Sequence, residues 1–94
     1  MKIYLSKKDL QQSITAFLKR KCGYFPLKNS YVRRLGMHFY PRFHLYVGED
    51  KNNYILNLHL DQKRPSYGNQ TAHSGEYDGE VVEEEAKRIK NQKF

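Results

Sequence analysis

The chain contains one cysteine, three prolines, no tryptophan and no long apolar segment. A single cysteine, Cys22, cannot form an intrachain disulfide, which excludes a disulfide-stapled secreted domain and favours a reducing compartment. No stretch approaches the ~20 apolar residues of a membrane-spanning helix, and residues 1–6 lack the apolar core of a signal peptide. The expected location is therefore the cytoplasm, without a membrane partner.

Familiar site motifs are also missing. The sequence has no pair of closely spaced cysteines, no HExxH sequence, no phosphate-binding glycine loop and no calcium loop. It lacks the HxT pairs of two-histidine phosphoesterases, and no nucleophile elbow surrounds Ser74. Function must therefore be predicted from composition and from the placement of individual side chains.

Charge is distributed unevenly along the chain. Residues 1–64 hold 13 Lys or Arg against four acids, a balance of +9, whereas residues 65–94 hold four basic residues against six acids, a balance of −2. A surplus of basic residues attracts polyanions. Aromatic residues lie among these basic residues in the sequence, and the two types together can neutralise phosphates and stack on bases. We therefore expect binding of nucleic acid, RNA rather than DNA, through Arg33, Arg34, Arg42, Lys63 and Arg64.

Two helices are predicted, one near each end of the chain. The first is expected over residues 7–22, where Ser6 can cap the N-terminus and an apolar stripe begins at Leu10. The second is expected over residues 80–92, because its glutamates come early and its Lys and Arg come late, which suits the helix dipole. Its acidic side is also a candidate surface for a protein partner, through Glu83, Glu84 and Glu85.

Three strands are expected between the helices, over residues 30–35, 42–47 and 54–61. A fourth, short strand over residues 2–5 is an open alternative. Pro26 favours a loop before the first of the three strands. Between the last strand and the second helix, glycine, proline and polar residues interrupt any apolar periodicity, which predicts a long loop.

Together these elements predict an α+β fold in a single domain, residues 1–94. The order is α-β-β-β-α, with a three-stranded antiparallel sheet, both helices on one face and the polar loop of residues 62–79 over the other. This order resembles that of double-stranded-RNA-binding domains and small bacterial RNase toxins, and the resemblance implies action on RNA. No site is transferred from either family. The last helix begins with Glu80 and further acids where the RNA-binding domains have lysines, and Gly36-Met37-His38 only half matches the toxin pattern of a catalytic histidine after Gly-Ser.

The two central strands form a predicted hairpin whose faces differ in chemistry, because side chains alternate across a strand. One face is apolar and consists of Phe43, Leu45, Val47, Tyr54, Leu56, Leu58 and Leu60. The other is mostly polar and consists of Arg42, His44, Tyr46, Ile55, Asn57, His59 and Asp61. With Val47 paired near Tyr54 across a six-residue turn, His44 is expected opposite Asn57 and diagonal to His59. Such a set is unusual on a strand that only faces solvent, so we expect the functional site here.

Two chemistries suit this face. The ligand-type side chains on the face and in the loop are His44, His59, Asp61, His73, Glu76 and Asp78. The first three, joined by groups from the loop, supply nitrogen and oxygen ligands for a divalent metal such as zinc. Alternatively, His44, His59, Asp61 and His73 are catalytic groups of a hydrolase or phosphodiesterase, with one histidine accepting a proton and another donating one. A structural role for the histidines, tying the loop to the sheet, also remains open.

Overall fold

The computed structural model describes residues 1–62, the backbone of 75–76, and residues 79–92. Its elements, in chain order, are β1 Lys2–Ser6, α1 Ile14–Ala16 with a π-helical continuation Phe17–Lys21, β2 Phe25–Leu27, β3 Ser30–Arg34, β4 Arg42–Glu49, β5 Asn53–Asp61, β6 Gly75–Glu76 and α2 Glu80–Lys90. The α+β class is confirmed. Leaving aside the two-residue β6, the order is β-α-β-β-β-β-α. Within the described ranges, no helix is both long and apolar enough to cross a membrane.

The strands form one antiparallel sheet in the spatial order β1-β5-β4-β3-β2, and β6 also pairs with β5. The predicted sheet of three strands is therefore too small. Residues 2–5 do belong to a strand, because β1 pairs with the first half of β5. Pro26 lies in β2 rather than in a loop, since β2 is an edge strand, where a residue without an N–H is tolerated. The predicted loop of residues 62–79 contains β6.

The first helix is much shorter than predicted. Ser13 is its N-cap, and the Ser13 hydroxyl accepts a hydrogen bond from the backbone N–H of Ala16 at 3.0 Å. Ser6 ends β1 instead, because pairing with β5 holds this segment extended. The apolar stripe nevertheless enters the core, where Phe17 and Leu18 are fully buried.

Both helical segments pack on one face of the sheet. The predicted apolar face of the hairpin lies beneath them, with Phe43, Leu45, Leu56, Leu58 and Leu60 buried in the shared core. The apolar stripe of α2, Val82, Ala86 and Ile89, joins the same cluster. Alternation along β4 and β5 therefore places the polar face, with its histidines, on the side of the sheet away from the helices.

A buried carboxylate, Glu85, fixes α2 to the body of the protein. Glu85 is only 4% exposed, and its Oε2 accepts a hydrogen bond from the Tyr24 hydroxyl at 2.6 Å. Arg88 donates to both carboxylate oxygens at 2.8 and 2.9 Å, and it also donates to the carbonyl of Cys22 at 2.6 Å. Burial, and then the charge of Glu85, raise the pKa of Tyr24 well above its ordinary value. The hydrogen bonds therefore join α2 to the segment that precedes β2.

Candidate functional site

The turn between β4 and β5 sets the register of the site. Asp50 accepts hydrogen bonds from the backbone N–H groups of Asn52 and Asn53 at 2.9 and 2.7 Å. This side-chain capping shortens the turn, so that β4 continues to Glu49 and β5 begins at Asn53. The predicted six-residue turn is therefore wrong.

The tighter turn shifts the pairing of the strands by two residues. Val47 pairs with Leu56 rather than near Tyr54. As a consequence, His44 lies directly opposite His59, and not opposite Asn57 as predicted. The corrected register brings the two imidazole rings to a centroid distance of 4.9 Å.

Asp61 connects both histidines through its two carboxylate oxygens. Its Oδ2 lies 3.0 Å from Nδ1 of His44, and its Oδ1 lies 2.9 Å from Nε2 of His59. Arg42, which pairs with Asp61 across the strands, donates from Nε to Oδ2 at 3.0 Å. The side chains of all four residues are at most 17% exposed. The result is a half-enclosed group of two imidazoles, one carboxylate and one guanidinium.

Ser30, which the sequence did not single out, determines which nitrogen of His44 carries a proton. The Ser30 hydroxyl donates its only proton to the carbonyl of Leu27 at 2.8 Å. Its oxygen lies 2.8 Å from Nε2 of His44, so Nε2 must be the donor in that contact. A neutral His44 then has no proton on Nδ1, and the Nδ1 lone pair faces the Asp61 carboxylate. That juxtaposition is favourable only if a cation, either a second proton or a metal ion, lies between them.

The same hydrogen bonds argue against a nucleophilic serine. Ser30, His44 and Asp61 follow one another in the order of a Ser-His-Asp triad. In such a triad, however, Nε2 accepts the proton of the serine hydroxyl, whereas here that proton is committed to Leu27. Ser30 is also only 6% exposed. Its role is to orient His44.

His59 is held in the form that binds metals. Burial lowers its pKa, and the neighbouring His44 acts in the same direction, while Asp61 opposes them. A neutral imidazole is the form that coordinates a metal ion. One donor atom each from His44, His59 and Asp61 lies within 4.8 Å of the others. This buried His44/His59/Asp61 group could hold a metal ion.

Arg42 borders the group but is not a free surface cation. It is 7% exposed, and its guanidinium lies 4.3 Å from the ring centre of Phe39 and 4.6 Å from that of Tyr40. Its Nη1 is buried and has no hydrogen-bond partner among the described residues. Arg42 therefore acts first on Asp61, by holding that carboxylate in place.

Tyr46 covers one side of the histidine pair. Its ring stacks on His44 at 4.7 Å and lies 5.8 Å from the ring of His59, with interplanar angles of 28° and 26°. Tyr46 remains 45% exposed. The site is thus shielded by an aromatic ring that itself faces solvent.

Arg33 and Arg34 lie away from this group. Arg33 points to the helical face, where its Nη1 lies 3.6 Å from Glu85, whereas Arg34 is exposed at the end of β3. Of Glu76 only the backbone is described, in β6. Lys63, Arg64, His73 and Asp78 lie outside the described residues.

Comparison with known proteins gives no family for this arrangement. No protein-family model, no curated protein and no solved structure matches the chain. The chemistry of the site must therefore be argued from its own geometry.

Proposed function

We propose that the protein binds a divalent transition-metal ion of the zinc type through His44, His59 and Asp61, and that this ion is the reactive centre of a hydrolytic site. The observation that carries the proposal is the contact between Nδ1 of His44 and Oδ2 of Asp61. With Nε2 of His44 hydrogen-bonded to Ser30, the Nδ1 atom and Oδ2 of Asp61 lie 3.0 Å apart and can share one cation. A metal ion in that position makes a coordinate bond to each of the two atoms.

The donor distances support this proposal. Zinc lies about 2.0–2.2 Å from imidazole nitrogen and carboxylate oxygen, which separates neighbouring ligands of a tetrahedral site by roughly 3.3 Å. The separations from Asp61 to His44 and to His59 are 3.0 and 2.9 Å, so each needs only a small expansion. The two histidine nitrogens start no more than 4.8 Å apart, a gap within reach of side-chain rotation.

The surroundings are those of a catalytic rather than a structural zinc site. Metal-binding histidines usually donate their second ring N–H to a neighbouring group, which fixes the tautomer, and His44 does so to Ser30. Two histidines and one carboxylate leave a fourth position for water, whose pKa zinc lowers to about 7. Such a metal-bound hydroxide is a nucleophile for hydrolysis of an ester or phosphodiester. The same donor set also serves non-haem iron, which metal analysis distinguishes.

The test is metal binding by the chelator-treated protein. We expect one Zn²⁺ per chain by calorimetric titration, and a tetrahedral or five-coordinate absorption spectrum when Co²⁺ is used as the probe. His59→Ala and Asp61→Asn should weaken binding roughly 100-fold or more. His38→Ala is the matched control, because His38 is an exposed histidine on the segment before β4. At a free Zn²⁺ concentration of 100 times Kd, the metal should stabilise the fold by about 2.7 kcal/mol.

Equal affinity of His59→Ala and the unmodified protein would contradict the proposal, provided that circular dichroism shows both to be folded. Tight binding that His38→Ala abolishes would place the metal elsewhere and contradict it as well. Fe²⁺ binding in strong preference to Zn²⁺ would change the predicted chemistry from hydrolysis to oxidation.

A metal-free acid–base site is the second candidate. It is favoured by one observation, the lowered pKa of His59, which favours a neutral imidazole beside His44. A neutral and a cationic imidazole 4.9 Å apart can act as base and acid on one phosphodiester. Chelator-resistant hydrolysis that is lost in His44→Ala and in His59→Ala would select this candidate over the metal site.

A further inference from the structure

The face of the sheet that carries the histidines also carries a row of exposed aromatic side chains. Tyr46 lies on β4, and Tyr4 lies on β1, opposite Ile55 of β5. Tyr4 is 53% exposed and Tyr46 is 45% exposed. Phe25 of β2, opposite Val32, stands on the same face and is also exposed. Aromatic rings spaced over several strands of an open sheet are a platform on which successive bases of a single strand can stack.

Gly48, which follows Tyr46 on this face of β4, has no described side-chain atom within 4 Å of the position of a Cβ. One side of the Tyr46 ring is covered by His44, and Gly48 is the next residue of β4 on this face. A Cβ built on Gly48 meets only the backbone oxygen of Ile55, at 3.8 Å. Gly48 does not have positive φ, so its backbone would accept any side chain. A glycine inside a strand costs stability and often marks the close approach of a ligand.

A cavity lined partly by lysines lies near this surface, at the next pair of residues on the same face of β1 and β5. Its volume is about 480 Å³, and it is lined by Ser6, Lys7, Lys8, Lys51, Asn52 and Asn53. Ser6 lies opposite Asn53. This pair is two residues along the strands from the pair Tyr4 and Ile55, a separation of about 7 Å.

The charges at this cavity suit a phosphate group. Lys7 is paired with Glu49 at 2.6 Å, and the carboxylate of Asp50 is occupied by the backbone of the turn. Lys8 and Lys51 have no ion pair with any described residue. Two ammonium groups without an ion pair among the described residues thus line this cavity, two residues along the strands from the pair Gly48 and Ile55. The exposed acids of α2 lie on the opposite side of the sheet.

From this arrangement we infer that single-stranded RNA binds across the open face, with one base stacked on Tyr46 above Gly48 and a neighbouring phosphate held by Lys8 and Lys51. The high positive charge of residues 1–64 draws the polyanion to the protein. Several stacking rings on one face suit a strand rather than a lone nucleotide. The inference does not require a metal ion, although a strand so placed passes the His44/His59/Asp61 group.

The test is fluorescence anisotropy with a labelled mixed-sequence RNA octamer at 50 and 200 mM salt, in the presence of a chelator, so that failure of the metal proposal does not affect it. Tyr46→Leu should bind roughly ten- to hundredfold more weakly. Gly48→Val fills the stacking space and should cause a similar loss, whereas Gly36→Val, at an exposed glycine with no atom near its Cβ position, should bind as the unmodified protein does. Lys51→Gln should lower the slope of log affinity against log salt by about 1.

Each other result overturns the inference. The absence of RNA binding at 50 mM salt would refute the inference. Unchanged RNA affinity of Tyr46→Leu would also refute it, and this variant remains informative even if Gly48→Val does not fold. Equal affinity for the mononucleotide AMP and for the octamer would identify a nucleotide pocket instead of a strand-binding face. Equal affinity for a DNA octamer of the same sequence would refute the choice of RNA.

Discussion

Removing the carboxylate of Glu85 should destabilise the protein far more than removing either neighbouring glutamate. In Glu85→Ala, the Tyr24 hydroxyl stays buried and loses its 2.6 Å acceptor. A buried polar group without a partner costs about 1–3 kcal/mol. Arg88 suffers less, because its side chain is 32% exposed and still donates to the Cys22 carbonyl. With the broken ion pair included, we expect a loss of about 3 kcal/mol in the free energy of unfolding.

Urea unfolding followed by circular dichroism measures this loss, which should lower the midpoint by ~2 M. Glu84→Ala is the matched control, because it makes the same change one residue away at an exposed position, and its effect should stay within about 0.5 kcal/mol. A double-mutant cycle with Tyr24→Phe should give a coupling energy of about 1 kcal/mol. Equal stability of Glu85→Ala and Glu84→Ala would refute the conclusion that the carboxylate anchors α2.

Three further outcomes are expected. The folded protein keeps Tyr24 protonated, whereas an unfolded chain ionises tyrosine near pH 10.0. The stability of the unmodified protein relative to Tyr24→Phe should therefore be constant below about pH 9 and about 1.4 kcal/mol lower at pH 11. Urea titrations at pH 8 and 11 that show no such change would contradict this. Ser30→Ala releases His44 and should weaken Zn²⁺ binding 10- to 100-fold without unfolding the protein, as calorimetry and circular dichroism will show. Ser13→Ala removes the N-cap bond to Ala16 and should cost about 1 kcal/mol of stability in urea unfolding, and a neutral result would show that the cap contributes nothing.

The faces of the central hairpin were predictable, and its register was not. Alternation of apolar and polar residues assigned Phe43 to the core and His44 to the opposite face, because burial of one face leaves no other arrangement of a strand. The register depended on Asp50, whose side chain closes the turn on the backbone of Asn52 and Asn53. An Asp at the start of a turn is a known signal for such capping. A turn closed by Asp50 in this way places His44 opposite His59.

Long-range contacts account for the other differences. The local pattern assigned the N-cap to Ser6, and it is the pairing of β1 with β5 that holds Ser6 in a strand instead. The buried position of Glu85 depends on Tyr24, which is 61 residues away in the chain. Likewise, nothing around Ser30 in the sequence indicates that its hydroxyl meets His44, because their contact exists only once β3 and β4 are paired.

The edge strand β2 affects how this protein behaves at high concentration. β2 ends the sheet with only three residues, and its central residue, Pro26, has no N–H to offer to a further strand. The exposed edge of a sheet is otherwise a template on which other chains add, the first step towards swapped dimers and fibrils. Lys28 follows at once, in the left-handed conformation, and turns the chain back into β3. This edge therefore resists strand addition by a second copy, which blocks growth at one of the two ends of the β1-β5-β4-β3-β2 strand order.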